Sequence, residues 1–158
     1  MNCCCPEPNE ANNPTITTGR CPQCHNSGKL VDLITLKSLL TPIALAELNP
    51  EQIYRFCSET CCSVVYFSMR GQTFTTTDLT VPVFQKDLDE KIPVCYCFGW
   101  TRQQIKTTVE QQGPQSVIAS ITHHIQAGRC GCEVNNPQGS CCLANVKSWA
   151  LTTPIVNP

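Results

Sequence analysis

Apolar residues recur at helical spacing in the last third of the chain. Thr101-Arg-Gln-Gln104 has the form of a capping box, and Ile105 and Val109 follow it at i, i+4 spacing. Gly113-Pro114 ends this helix and begins a second one, which stops at Gly128. The apolar face of the second helix is predicted to consist of Val117, Ile118, Ile121 and Ile125. The pattern predicts two short antiparallel helices, so that the chain doubles back on itself.

The first half of the chain instead shows short β-rich segments separated by turns. Tyr54-Arg-Phe56 and Val64-Val-Tyr-Phe67 carry the aromatic and β-branched residues that are typical of strands. Between residues 30 and 49 the leucines have partly helical spacing, with a break at Thr41-Pro42. Residues 72–84 alternate threonine with apolar residues, which predicts one or two further short strands. The charged residues 85–92 are interpreted as a solvated connector.

These patterns divide the chain into two halves and two tails. Residues 1–20 contain three prolines and no apolar period, so they are predicted to form a mobile tail. Residues 21–92 form the first half, residues 93–150 the second half, and residues 151–158 a short C-terminal tail. Each half is too small to hold a core comfortably alone. We therefore expect the two halves to pack as one unit.

Cysteine usage changes the picture most, since 14 of the 158 residues are cysteine. A disulfide framework fits poorly, because closely spaced cysteines are unsuited to closing long loops and the N-terminus has no apolar signal segment. Metal binding in a reducing cytoplasm is the interpretation we favour. The formal net charge of -1 and scattered basic residues argue against nucleic acid or a membrane as partner. No catalytic motif stands out.

The first metal motif begins at Cys21-Pro-Gln-Cys24, a tight turn that presents two thiolates at a separation suited to tetrahedral zinc. Its partner pair is expected in the turn between the β-rich segments. That turn contains Cys57 and the doublet Cys61-Cys62, and both members of the doublet are candidates. His25 directly follows the first pair, and we expect it to face solvent or to lie outside the ligand set.

The second metal motif begins at Cys95-Tyr-Cys97, which can direct two thiolates into one site from a single loop. The doubling back of the helices would bring Cys130 and Cys132 near this loop. The doublet Cys141-Cys142 begins a short third helix, whose apolar residues include Val146, and the N-terminal amides of that helix are expected to face the thiolates. Two such pairs are what a binuclear iron-sulfur cluster requires.

The sequence here resembles a known family. Val94-Cys-Tyr-Cys-Phe-Gly-Trp-Thr101, Cys132, Asn136-Pro-Gln-Gly139 and the following cysteine doublet resemble the 2Fe-2S domain of CopZ-type copper chaperones, which is similar to bacterioferritin-associated ferredoxin. The resemblance implies that the cluster ligands are Cys95, Cys97, Cys132 and Cys142. The additional Cys130 and Cys141 leave the third and fourth ligands open between neighbours.

The first half resembles the zinc-binding portion of the same domain. The matching motifs are Cys21-Pro-Gln-Cys24 and Tyr54-Arg-Phe-Cys57-Ser-Glu-Thr-Cys61-Cys62-Ser-Val-Val-Tyr66-Phe67. The zinc ligands that this resemblance implies are Cys21, Cys24, Cys57 and Cys62. The implied fold is α+β, with a small β-rich zinc-binding half packed on a short helical 2Fe-2S-binding half.

The function predicted on this basis is one-electron transfer by a 2Fe-2S protein with a structural zinc site. The resemblance further implies copper handling, by reduction of Cu(II) or delivery of Cu(I) with a separate partner such as a copper chaperone or a copper ATPase. A redox partner protein is also expected. The chain is interpreted as a carrier rather than an enzyme with its own substrate. The alternative is a metal-stabilised structural or regulatory adaptor.

Residues around the two motifs carry secondary expectations. Tyr96, Phe98 and Trp100 are predicted to shield the cluster loop. Nearby cations are predicted to offset the negative charge of a cluster, namely Arg102, Lys106 and Arg129. The tail cysteines could trap a soft metal ion or be unselected thiols, and they are Cys3, Cys4 and Cys5.

Overall fold

A computed structural model describes residues 19–154 and contains, in its first half, a four-stranded antiparallel sheet. The strands follow the order of the sequence, so each pairs with its neighbour in the chain. β3 is buried along its whole length, as its run of Val64-Val-Tyr-Phe-Ser68 predicts. The strands are β1 (Lys29–Val31), β2 (Tyr54–Phe56), β3 (Val64–Ser68) and β4 (Thr73–Thr75). Nearly all of the predicted N-terminal tail lies outside the described residues.

Two short helices connect β1 to β2. They are α1 (Leu33–Leu39) and α2 (Pro42–Glu47), and the predicted break at Thr41-Pro42 separates them. The Thr41 side chain accepts a hydrogen bond from the Ala44 amide, and Pro42 occupies the first turn, where its missing amide proton costs nothing. Leu36 and Leu40 pack with aromatic residues of the sheet. The first half therefore combines the predicted sheet with two short helices, which form where the leucines have helical spacing.

The second half consists of a small ladder and four helices. The elements are β5 (Pro93–Cys95), β6 (Trp100–Thr101), α3 (Arg102–Gln112), α4 (Pro114–Gln126), α5 (Cys132–Asn135) and α6 (Leu143–Thr152). Both hydrogen bonds of the predicted capping box between Thr101 and Gln104 are present. Ile105, Val117 and Val146 meet in one core. The predicted helices are confirmed, and α6 continues two residues past the boundary expected at residue 150.

The two halves are joined by the turn that follows α5. The Thr35 hydroxyl donates to the Glu133 carbonyl at 2.6 Å, and the Tyr66 hydroxyl donates to the Pro137 carbonyl at 2.7 Å. Gly139 has a φ of 69°, and a Cβ atom there would lie 2.8 Å from Val31 Cγ2. Only glycine fits this close approach. The turn of residues 136–139 therefore rests directly on the zinc-binding half.

The connector between the halves is held by Arg102, which is 3% exposed. Its guanidinium donates to the carbonyl oxygens of Phe84, Asp87 and Asp89, and it lies 4.2 Å from the centre of the Phe84 ring. The carboxylates of the connector are exposed, as expected. Arg102 therefore fixes the backbone of the connector, and its role in offsetting cluster charge stays a prediction.

Candidate metal centres

The first cysteine set converges on one point at the loop that joins β2 to β3. Cys21 Sγ lies 3.7 Å from Cys62 Sγ, and Cys24 Sγ lies 3.6 Å from Cys57 Sγ. All four sulfur atoms lie within 4.8 Å of one another. Four thiolates at 2.3 Å from a tetrahedral zinc ion are separated by about 3.8 Å. The spacing of the four sulfurs therefore fits a single tetrahedral ion.

Two loops bring these cysteines together. The first loop reverses at His25, whose φ of 61° places it in the left-handed region and whose amide donates to the Cys21 carbonyl at 2.9 Å. The second loop leaves β2 at Cys57 and enters β3 after Cys62. Asn26 Nδ2 donates to Glu59 Oε2 across the two loops at 2.8 Å. The sheet therefore positions the second pair, and the turn at His25 positions the first.

Three of the four zinc-site cysteines are buried, Cys24 is half-buried, and the thiols affect one another strongly. The thiol of Cys57 lowers the pKa of Cys21 to about 5, although burial acts in the opposite direction. The same contact raises the pKa of Cys57, and burial adds to the rise. Burial raises the pKa of Cys62 to about 12. The site therefore disfavours several thiolates at once, and a bound dication would offset that cost.

Lys86 of the connector supports this site from outside. Its Nζ donates to the carbonyl oxygens of Glu59 and Cys62, at 2.8 Å in each case. No sequence pattern indicated this contact. Of the doublet, Cys62 belongs to the group of four neighbouring sulfur atoms, and Cys61 does not, so the geometry favours Cys62. His25 is exposed, as expected.

The second cysteine set lies between the β5–β6 loop and the start of α6. Cys97 Sγ lies 3.7 Å from Cys132 Sγ. The Cys142 thiol is in hydrogen-bonding contact with Cys95 and Cys132, and these contacts lower the pKa of Cys95 to about 7 and that of Cys132 to about 6. The same contacts raise the pKa of Cys142. The structure therefore brings together all four residues that the resemblance implied.

The thiol of Cys97 is also contacted by the segment around α5. The Gly131 amide donates to Cys97 Sγ at 3.3 Å, and Asn135 Nδ2 donates to it at 3.7 Å. Burial raises the pKa of Cys97, and these two donors oppose the rise. Neither donor was predicted from the sequence, and only the proximity of Asn135 to the Asn136-Pro-Gln-Gly139 turn could have indicated one of them.

The remaining cysteines of this half occupy different positions. Cys141 is exposed, and its thiol reaches Cys132. Cys130 is half-buried. Of the two neighbouring cysteines Cys130 and Cys132, it is Cys132 whose sulfur atom contacts Cys97. Cys142 is buried at the N-cap of α6, but its side chain makes no capping hydrogen bond. The backbone amide of Cys142, at the start of this helix, instead contacts the Cys132 thiol and helps to lower its pKa, in keeping with the expected approach of the helix amides to the thiolates. Cys3, Cys4 and Cys5 lie outside the described residues.

The aromatic residues of the ligand loop have separate roles. Tyr96 turns toward the connector, where its hydroxyl donates to the Pro82 carbonyl at 2.7 Å and accepts from the Phe84 amide at 2.9 Å. Phe98 stacks on His124 with ring centres 4.6 Å apart. Trp100 and Phe98 line an open cleft of about 660 Å³ between α3 and α4. Tyr96 therefore anchors the loop rather than shielding the cysteines.

The two other cations predicted to offset cluster charge already have partners. Lys106 Nζ lies 3.7 Å from Glu90 Oε1, and both side chains are about half exposed, so this pair contributes little. Arg129 lies 3.1 Å from His124 Nδ1. Neither contact is with a cysteine of the second set.

The fold and the first cysteine set define a zinc-binding domain with a four-cysteine group. Residues 18–80 match the zf_CopZ family, described as a zinc binding domain. The X-ray structure of the CopZ N-terminal domain of Archaeoglobus fulgidus superimposes with a TM-score of 0.70 at 30% identity, covering 86% of this chain and 99% of that one. The chain belongs to this CopZ-type family, which confirms the α+β fold and the zinc-binding first half.

A curated relative gives the same result by sequence. The copper chaperone CopZ of Archaeoglobus fulgidus is 32% identical over 124 residues, which cover 78% of this chain and 57% of the relative. The chain thus spans a little over half the length of that protein. Among the described residues, no helix combines the length and the apolar character needed to cross a bilayer.

Proposed function

We propose that this chain is a one-electron carrier with a 2Fe-2S cluster in its second half and a structural zinc ion in its first half. The cluster ligands would be Cys95, Cys97, Cys132 and Cys142, and the zinc ligands would be Cys21, Cys24, Cys57 and Cys62. The observation that carries the proposal is that thiol contacts link all four cysteines of the second half: Cys97 contacts Cys132, and Cys142 contacts both Cys132 and Cys95. The resemblance of the sequence motifs supports the same ligands.

The shape of the second set supports a binuclear group rather than a second zinc. Within residues 19–154, three or more ligand atoms lie within 4.8 Å of one another only in the first set. The second set is more open, although Cys97 Sγ and Cys132 Sγ, 3.7 Å apart, have the spacing of two thiolates on one tetrahedral metal ion. Thiols that make close contacts without converging on one point fit two metal ions that each bind two of the four thiolates.

The chain's own residues would determine where an electron enters and leaves. When bound, a 2Fe-2S cluster supplies one-electron chemistry. Cys95 and Cys142 are buried, whereas Cys97 and Cys132 are partly exposed. Burial on one side excludes water from the site, and exposure on the other shortens the distance to a partner protein. We therefore assign electron exchange to the side of Cys97 and Cys132.

The family relationship supports a role in copper handling. Because the curated relative is named a copper chaperone, we propose that the reduced protein passes its electron to Cu(II) or assists delivery of Cu(I). A separate copper chaperone or copper ATPase would then be the partner. The zinc site takes no part in electron transfer, since Zn²⁺ has no redox chemistry.

Metal analysis of anaerobically purified protein tests the proposal. We expect about two irons, two acid-labile sulfides and one zinc ion per chain, with visible absorption that bleaches on reduction by dithionite. Cys142→Ser should remove the iron chromophore and retain zinc, whereas the neighbouring Cys141→Ser should keep both. Two zinc ions and no sulfide, after anaerobic reconstitution, would overturn the cluster assignment and favour the adaptor.

A further inference from the structure

We infer that Asn135 is a positioning residue for Cys97 that raises the reduction potential of the cluster by donating a hydrogen bond to the ligand sulfur. This inference rests on the proposed function. Its starting point is the contact of Asn135 Nδ2 with Cys97 Sγ at 3.7 Å, between residues 38 positions apart in the sequence. No motif of the sequence assigns a role to Asn135.

The direction of this hydrogen bond follows from the chemistry of the sulfur. A ligand thiolate has no proton and can only accept, so the side-chain amide must present its nitrogen to Cys97. The Gly131 amide donates to the same sulfur at 3.3 Å. Cys97 thus receives two N–H donors from a segment that also contributes the ligand Cys132. No described contact gives Cys95 or Cys142 a comparable side-chain amide donor.

The local backbone holds the Asn135 amide in place. Asn135 is the last residue of α5, and its backbone amide donates to the Gly131 carbonyl at 3.1 Å. A Cβ atom at residue 131 would lie 3.3 Å from Asn135 Nδ2, so glycine leaves room for the side chain to reach the sulfur. Asn136 is committed elsewhere, because its side chain donates to the Ser140 carbonyl and accepts from the Gln138 amide. The two adjacent asparagines therefore have different tasks.

The expected effect on the cluster follows from charge. One-electron reduction makes the cluster and its sulfurs more negative, so an N–H donor stabilises the reduced state more than the oxidised state. Removing the donor should lower the potential. Asn135→Asp should lower it further, because a carboxylate replaces the donor with a negative charge of similar shape.

The test is a redox titration of the anaerobic, cluster-loaded full chain. Asn135→Ala should shift the equilibrium constant for reduction three- to tenfold toward the oxidised state, a fall of about 30–60 mV for one electron. Asn135→Asp should give a larger fall, and Asn135→Gln should recover part of the wild-type value. Val134→Ala, at an exposed apolar position on the same short helix, is the matched control and should leave the potential unchanged.

Iron content and Fe–S stretching frequencies from resonance Raman spectra distinguish a changed reduction potential of an intact cluster from loss of the cluster. A full complement of iron with altered Fe–S frequencies and a lower potential supports the inference. Full iron content with a wild-type potential in both Asn135→Ala and Asn135→Asp overturns it and leaves the proposed function standing. Wild-type protein that contains no iron or sulfide after reconstitution overturns the proposed function and this inference together.

Discussion

Lys86 is the residue whose contacts most directly link the connector to the zinc site. Its ammonium group donates to the carbonyl oxygens of Glu59 and Cys62. Those carbonyls belong to the loop that carries Cys57 and Cys62, so the contact restricts the motion of that loop. A charged donor also makes a stronger hydrogen bond than a neutral one.

We therefore predict that Lys86→Met weakens the zinc site without removing a ligand. Loss of the charged hydrogen bonds should lower the free energy of unfolding by about 1.5–3 kcal/mol and speed zinc transfer to a chelator. Urea denaturation and a colorimetric zinc assay measure these two effects. Lys29→Met, on the exposed side of β1, is the control and should change neither. Equal zinc release from the two variants would contradict the role of Lys86.

At the scale of single residues, the spacing of the cysteines indicates the two metal motifs but does not decide between neighbouring cysteines. Cys61 and Cys62 differ by one position, and the direction of the backbone entering β3 decides which one faces the other ligands. Lys86 and Asn135 were not predicted, because their contacts join residues 24 to 38 positions apart and leave no local pattern. The contacts of Arg102 with the connector also join residues distant in sequence, and they were not predicted for the same reason.

Elements with a strong local signal were predicted well. The capping box at Thr101, the Gly113-Pro114 boundary and the apolar face of α4 depend only on residues within one or two turns, so the sequence determines them. α5 was missed because four residues are too few to show a period. The docking of residues 136–139 on the first half was also missed, since it depends on Val31 and Thr35, about 100 positions earlier.

Gly139→Ala should test this docking. A Cβ atom at residue 139 would lie 2.8 Å from Val31 Cγ2 and 2.9 Å from Thr35 Oγ1, which donates to the Glu133 carbonyl. Gly128 has the same φ of 69° and no atom within 4 Å of such a Cβ. Both alanine variants should lose about 1–2 kcal/mol through the left-handed backbone. Gly139→Ala should lose a further 1–3 kcal/mol or so through overpacking.

Urea denaturation of the two glycine variants measures the difference directly. Because Gly128 has the same backbone conformation, any excess loss at Gly139 reports on the contact between the halves. Equal free energies of unfolding would show that the turn can move away from the first half without cost.

At the scale of the whole molecule, the contacts between the halves should make the second metal site depend on the first half more than the first site depends on the second half. The turn that precedes Cys142 rests on the first half through Tyr66 and Gly139. The first half depends on its own four-cysteine group for stability. Loss of zinc should therefore disturb the second site, whereas loss of a ligand in the second site should leave the first intact.

Cys57→Ser and Cys97→Ser test this asymmetry. Structural zinc contributes folding free energy on the order of 10 kcal/mol, so Cys57→Ser should unfold the first half and also reduce the yield of the iron chromophore. Cys97→Ser should abolish the chromophore and retain one zinc ion. Circular dichroism, zinc content and visible absorbance of each variant give the result. A normal chromophore in zinc-free Cys57→Ser protein would show that the halves are independent.

The sequential order of the strands also has a kinetic consequence. Each strand of the sheet pairs with its neighbour in the chain, whereas the contacts of Tyr66 with Pro137 and of Thr35 with Glu133 join residues 71 and 98 positions apart. Nearby contacts close shorter loops and form sooner. A growing polypeptide can therefore complete the sheet and bind zinc before the ribosome has added Cys132. The later segment then folds onto a completed surface, so we predict that zinc loading precedes insertion of the proposed cluster during biosynthesis.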